Sequence, residues 1–155
     1  MTEPRWLDDT EQRVWRRLLA VAAALPGALD TDLRAVGLTH PTYVVLAMLS
    51  EAPDRTLRMA ELARRASSSP SRLTHTVTRL EQRGLVRRAA VADDGRGAAA
   101  TLTDAGWDVV VSAAPTHVAT VRRLLFDRLT TAELATLDEV GARVATQLAG
   151  PPRAD

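Results

Sequence analysis

Apolar residues recur at spacings of three and four through most of this 155-residue chain, the period of helices with one buried face. Over residues 8–25, Val14, Leu18, Val21 and Leu25 form one stripe, with Trp15 and Leu19 beside it. Pro26-Gly27 is expected to break or kink this helix, with 28–36 as its continuation and Gly37 as its stop. Thr39-His40-Pro41 opens a second helix carrying Tyr43, Leu46, Ala47 and Leu49, and Ala52-Pro53-Asp54 ends it. Thr56-Leu57-Arg58 reads as a short strand. Residues 59–66 then form a short helix with Leu62 and Ala63 inward.

The next element has the clearest boundaries. Ser69 suits an N-cap and Pro70 the first helical position, and the helix runs to Arg83. Gly84 suits the left-handed position beyond its end, followed by apolar Leu85. Residues 85–91 and 98–102 read as two strands joined by the Asp- and Gly-rich turn 92–97. Thr103 caps a long helix in which Pro115 predicts a kink. Thr130 and Glu133 match a capping box ahead of Leu134, Leu137, Val140, Val144 and Leu148. The pattern predicts a mainly α fold with a small β-hairpin wing: a winged helix-turn-helix flanked by terminal helices.

This order suits duplex DNA, because the second helix of the pair can enter the major groove while the first braces it. At about 100° per residue, Leu73, Val77 and Leu80 share the buried face of the helix 70–83. The opposite face holds Ser71, His75, Thr78 and Gln82, flanked by Arg72, Thr74 and Arg79, with Ser69 at its start. Short hydrogen-bonding groups and arginines match base edges and phosphates. Glu81 is the one acid in the helix and lies toward its end.

Composition first argues against this reading and then supports it. Twenty basic residues against nineteen acids give +1 overall. Between Arg55 and Arg96, however, ten arginines face only Glu61, Glu81, Asp93 and Asp94, a net of +6. The rest of the chain carries −5. A basic middle between acidic flanks is the footprint of a DNA-binding lobe. Lysine, isoleucine and asparagine are absent, which fits the coding bias of a GC-rich genome and accounts for part of the arginine content.

Cysteine is absent, which excludes disulfides, thiol redox chemistry and cysteine nucleophiles. No apolar run is long enough to span a bilayer and the N-terminus has no secretory pattern, so a cytoplasmic location away from membranes is expected. His40, His75 and His117 lack metal-ligand spacing, and no nucleophile elbow, phosphate loop or dinucleotide fingerprint occurs. The expectation is a protein that is not an enzyme, with no catalytic residues, metal or cofactor. A helical protein-interaction module, or a regulator that no ligand releases from DNA, is the alternative, and salt-dependent duplex binding separates the first from a DNA binder.

The runs Leu57-Arg58-Met59-Ala60-Glu61-Leu62-Ala63-Arg64-Arg65, Leu80-Glu81 … Gly84-Leu85-Val86-Arg87-Arg88 and Asp94-Gly95-Arg96-Gly97 … Leu102-Thr103-Asp104-Ala105-Gly106 resemble MarR-type transcriptional regulators, over residues 10 to 148. The resemblance implies an obligate homodimer on double-stranded DNA bearing a pseudo-palindromic operator, a repressor role, and release by a small effector. Carried over by position, Arg96 is the wing arginine of the minor groove and Asp94 holds the wing by ion pairing. Gly95 departs from the arginine many members place there, and Pro70 is unusual at its position. Family effectors are commonly aromatic or phenolic acids seated between the dimer helices and the DNA lobe. Trp15, His40, Tyr43 and Trp107 are the candidate lining residues here. The implied division is a dimerisation helix (1–38), a DNA-binding lobe (39–102), dimerisation helices (103–150) and a tail (151–155).

Overall fold

A computed structural model describes residues 4–91 and 97–149. Six helices and three short strands follow the order α1 (Asp9–Leu33), α2 (His40–Ser50), β1 (Thr56–Arg58), α3 (Met59–Arg65), α4 (Pro70–Gln82), β2 (Val86–Ala90), β3 (Ala98–Leu102), α5 (Asp104–Leu124) and α6 (Thr131–Ala149). Contacts divide the chain into two compact units, Met1–His117 and Val118–Asp155.

Helix α1 starts on a capping box that the periodicity does not mark. The Asp8 carboxylate accepts from the Thr10 and Glu11 amides, and Glu11 accepts from the Asp8 amide at 2.9 Å. The helix continues through Pro26 to Leu33, so the expected break does not occur there. Proline's fixed φ is compatible with a helix, while its missing donor and its ring weaken the bond to the preceding turn. Leu29 and Leu33 beyond it are buried and hold the last turns in place. Pro115 likewise lies inside α5 without ending it. Gly37, at φ 69°, closes the 3-10 turn after α1 in the left-handed conformation, and Leu38 returns its amide to the Leu33 carbonyl at 3.0 Å.

The two expected hairpin strands gain a third. Their sheet has the order β1–β3–β2, antiparallel throughout, with Thr56 opposite Thr101 and Val86 opposite Leu102. The Thr56 and Thr101 hydroxyls meet at 2.9 Å across the β1–β3 pair. Strand β1 leads directly into α3, so the sheet fixes where the helix pair begins.

The core of the first unit is built mostly from leucine and valine, as the scarcity of aromatics predicts. Leu33, Leu46, Leu49, Leu62, Val77 and Leu80 are fully buried, joined by Leu38, Leu73, Val86, Leu102 and Val110. The α4 face of Leu73, Val77 and Leu80 and the inward Leu62 and Ala63 lie where the helical period puts them. In the second unit, α6 begins on the expected capping box, with Glu133 accepting from the Thr130 amide at 2.8 Å and Thr130 accepting from the Glu133 amide at 3.3 Å.

Candidate nucleic-acid interface

Helix α4 is held at both ends. The Ser69 hydroxyl accepts from the Arg72 amide at 3.4 Å, and Pro70 occupies the first turn, where its missing donor costs nothing. At the other end Gly84, at φ 70°, donates to the Glu81 carbonyl, and Leu85 donates to the Leu80 carbonyl at 3.0 Å. Ser71, Arg72, Thr74, His75 and Arg79 are exposed and Thr78 is half-buried, so the predicted outer face is the observed one. The Thr74 hydroxyl donates to the Pro70 carbonyl at 2.9 Å, which leaves its oxygen able to accept.

The structure sorts the arginines, which the charge count alone does not. Arg64 and Arg65 both hold the Glu61 carboxylate, at distances down to 2.6 Å. Arg88 clasps Glu81 at 2.7 Å while its own amide donates to the same carboxylate at 3.1 Å, tying β2 to the end of α4. Arg55 pairs with Asp104 at 3.0 Å and lies over the Trp107 ring at 4.3 Å. Arg72 and Arg79, in contrast, make no side-chain hydrogen bond or ion pair among the described residues. Two positive charges without acid partners therefore stand on the exposed face of α4. Hydrogen bonds from Arg88 hold the Glu81 carboxyl below its ordinary range, so the one acid of the helix stays ionised and engaged. The Glu61 pairs fall three and four residues apart on one helix, a periodic mark. The Glu81–Arg88 pair crosses from helix to strand and leaves no such periodic mark.

Asp94 and Arg96 lie outside the described residues. The Val91 amide donates to the Gly97 carbonyl at 3.0 Å, on either side of 92–96.

The candidate effector residues fall into separate places. The Tyr43 ring lies 4.3 Å from that of His117, and His40 stacks on His117 at 5.9 Å. Sequence reading did not single out His117 as a lining residue. Its Nδ1 is buried and has no hydrogen-bond partner among the described residues. Burial holds both imidazoles below the ordinary histidine range; the Asp30 charge only partly offsets this at His40. Trp107 stands with Arg55, while Trp15 stands with Trp6 and Leu7 on the exposed side of α1. A cavity of about 530 Å³ opens instead beside α4. Pro41, Val44 and Val45 give it an apolar floor, His40, Arg72, His75 and Arg79 line its polar side, and no carboxylate borders it.

No helix among the described residues is long and apolar enough to cross a membrane.

Comparison with known proteins places these features. The profile described as MarR family matches residues 36–97, which hold the helix pair and the start of the wing. The fold resembles the crystal structure of Sco3205, a MarR family transcriptional regulator from Streptomyces coelicolor solved in complex with DNA. The TM-score is 0.91 and the identity 45%, over 97% of this chain and 95% of that one. It also resembles AbsC, a MarR family transcriptional regulator from the same organism, with a TM-score of 0.89 and 42% identity over 96% and 100% of the two chains. An HTH-type transcriptional repressor of Mycobacterium tuberculosis is 42% identical over 89 residues, a match that spans 57% of this chain and 63% of the repressor's length.

Proposed function

The chain belongs to the MarR family of transcriptional regulators, and we propose that it is a cytoplasmic, homodimeric repressor that acts by binding duplex DNA and not by catalysis. In this reading α4 enters the major groove, Ser69, Ser71 and Thr74 meet the backbone or base edges, and Arg72, His75, Thr78 and Arg79 read sequence. Arg96 reaches the minor groove from the wing, steadied by Asp94. The terminal segments 1–38 and 103–150 supply the dimer interface around the lobe 39–102. The observation that carries the reading is the outer face of α4: its arginines are free of acid partners while the other acid-bearing contacts of the lobe are closed.

Titration of duplexes at several salt concentrations tests it. A regulator making six or more phosphate contacts per dimer should lose roughly 10³-fold in affinity between 50 and 200 mM salt. Arg72→Ala and His75→Ala should narrow the gap between a selected operator and random duplex by about five- to 100-fold, the worth of one misread base pair. Equal losses on both duplexes would reduce these residues to backbone contacts. Salt-independent binding would favour a protein-interaction module instead.

The cavity beside α4 favours a second element of function: release by an organic anion. Its apolar floor takes a ring, and its imidazoles and guanidinium groups take a carboxylate or phenolate. Arg72, His75 and Arg79 would then be engaged by the effector and withdrawn from DNA. Aromatic carboxylates are expected to raise the melting temperature and displace labelled duplex over the same concentration range. Stabilisation that left bound duplex in place would separate the cavity from regulation.

A further inference from the structure

The C-terminal end of α4 is tied to a distant turn. Arg83, the residue that ends the helix, donates from its guanidinium to the Gly37 carbonyl at 2.9 Å across 46 positions of sequence. Gly37 terminates the 3-10 turn that continues α1. The last turn of α1 itself contains no basic residue. A cation placed at the carbonyl end of this segment makes a charge-assisted hydrogen bond and complements the local dipole. Gly37 fits the turn that presents this carbonyl because its φ of 69° is one that a side chain would strain. Arg55, Arg64, Arg65 and Arg88 pair with acids and Arg72 and Arg79 face outward on α4, whereas Arg83 spans two helix ends.

We propose that Arg83 is a positioning residue that sets where the recognition helix stands relative to α1, and through it the spacing of half-sites that the dimer accepts. The proposal rests on the DNA-binding reading above. If α1 belongs to the dimer interface, the distance between the two copies of α4 depends on how rigidly each is joined to its own α1. Inserting one base pair between half-sites moves one of them by about 3.4 Å and turns it by about 35°. A strut at the end of α4 makes the protein intolerant of that change; without it, α4 swivels on its buried Leu73–Val77–Leu80 face and follows the displaced site.

The test uses a duplex selected by the wild-type protein from a random library, and copies with one or two base pairs added or removed at its centre. Wild type is expected to lose roughly 10- to 100-fold in affinity at the wrong spacing, on the scale of lost specific contacts. Arg83→Ala should bind the best spacing within about threefold of wild type and lose less than about threefold at the wrong one. Arg83→Lys keeps a cationic donor and is expected to restore most of the spacing penalty. An alanine variant with the full wild-type penalty overturns the proposal. So does one that weakens binding equally at every spacing with a salt slope lower by about one, since Arg83 is then a phosphate contact. A lysine variant as indifferent to spacing as alanine overturns the hydrogen-bond role. A wild-type protein that prefers no duplex over random sequence overturns the regulator reading itself and this role with it.

Discussion

Gly106→Ala is expected to destabilise the fold by about 3 kcal/mol, at the upper end of what one added methyl costs in a packed interior. Gly106 lies in the first turn of α5, where its amide donates to the Thr103 hydroxyl at 3.0 Å. A Cβ there would stand 2.2 Å from the Leu85 carbonyl oxygen and 2.6 Å from a Leu102 methyl. The first contact is with backbone that cannot rotate away. That same carbonyl accepts from the Thr103 amide at 3.1 Å, and the Thr103 hydroxyl donates to the Gly84 carbonyl at 2.8 Å. Moving α5 to admit the methyl group therefore strains the turn that ends α4. For a chain of this size the melting temperature should fall by roughly 6–12 °C. Gly27→Ala is the control: it too is helical, nothing lies within 4 Å of its added Cβ, and alanine there should be neutral or stabilising by up to about 1 kcal/mol. A Gly106→Ala protein that melts within 2 °C of wild type would refute the steric account.

Gly106 also marks the limit of what the chain discloses by pattern. Leu102-Thr103-Asp104-Ala105-Gly106 is recognisable as a family run, but its reason is a contact with a residue 21 positions earlier. Signals that act within one turn are readable: the Ser69-Pro70 start and Gly84 end of α4, its Leu73–Val77–Leu80 face, and the Thr130–Glu133 box all need only local geometry. The Asp8–Glu11 box is equally local. The continuity of α1 through Pro26 is different, because Leu29 and Leu33 hold it by burial in a core that no local pattern displays. The identity of the free arginines is long-range again. A count of +6 gives the sign of the lobe, yet it does not show that Arg55 and Arg88 are taken up by Asp104 and Glu81 while Arg72 and Arg79 stand on α4 without acid partners. The effector candidates show the same limit: four residues chosen by type separate into three environments, and His117 joins two of them by packing.

Val140 and Val144, one turn apart on α6, should convert the protein to monomers when both are replaced by aspartate. They are 40% and 49% exposed, on a helix that also leaves Leu137 and Leu148 open. Leu137, Gly141 and Ala145 border a shallow apolar groove on the same helix. On α1, Val14, Leu18 and Val21 are each more than half exposed. Apolar surface on this scale is more than a free monomer ordinarily leaves in water. In the proposed homodimer a second copy of the chain would cover it by symmetry, since a two-fold contact presents the same patch from both sides. Two aspartates per chain would place four unpaired carboxylates in that seam, and their desolvation opposes association. The expected results are a halved mass by light scattering at micromolar concentration and a fall of roughly 10²-fold or more in operator affinity, because each half-site is then bound alone. The two valines face solvent in the single chain, so helicity should change little. An unchanged mass would place the dimer contact elsewhere on the molecule. A monomer that kept full operator affinity would show that one lobe suffices to bind.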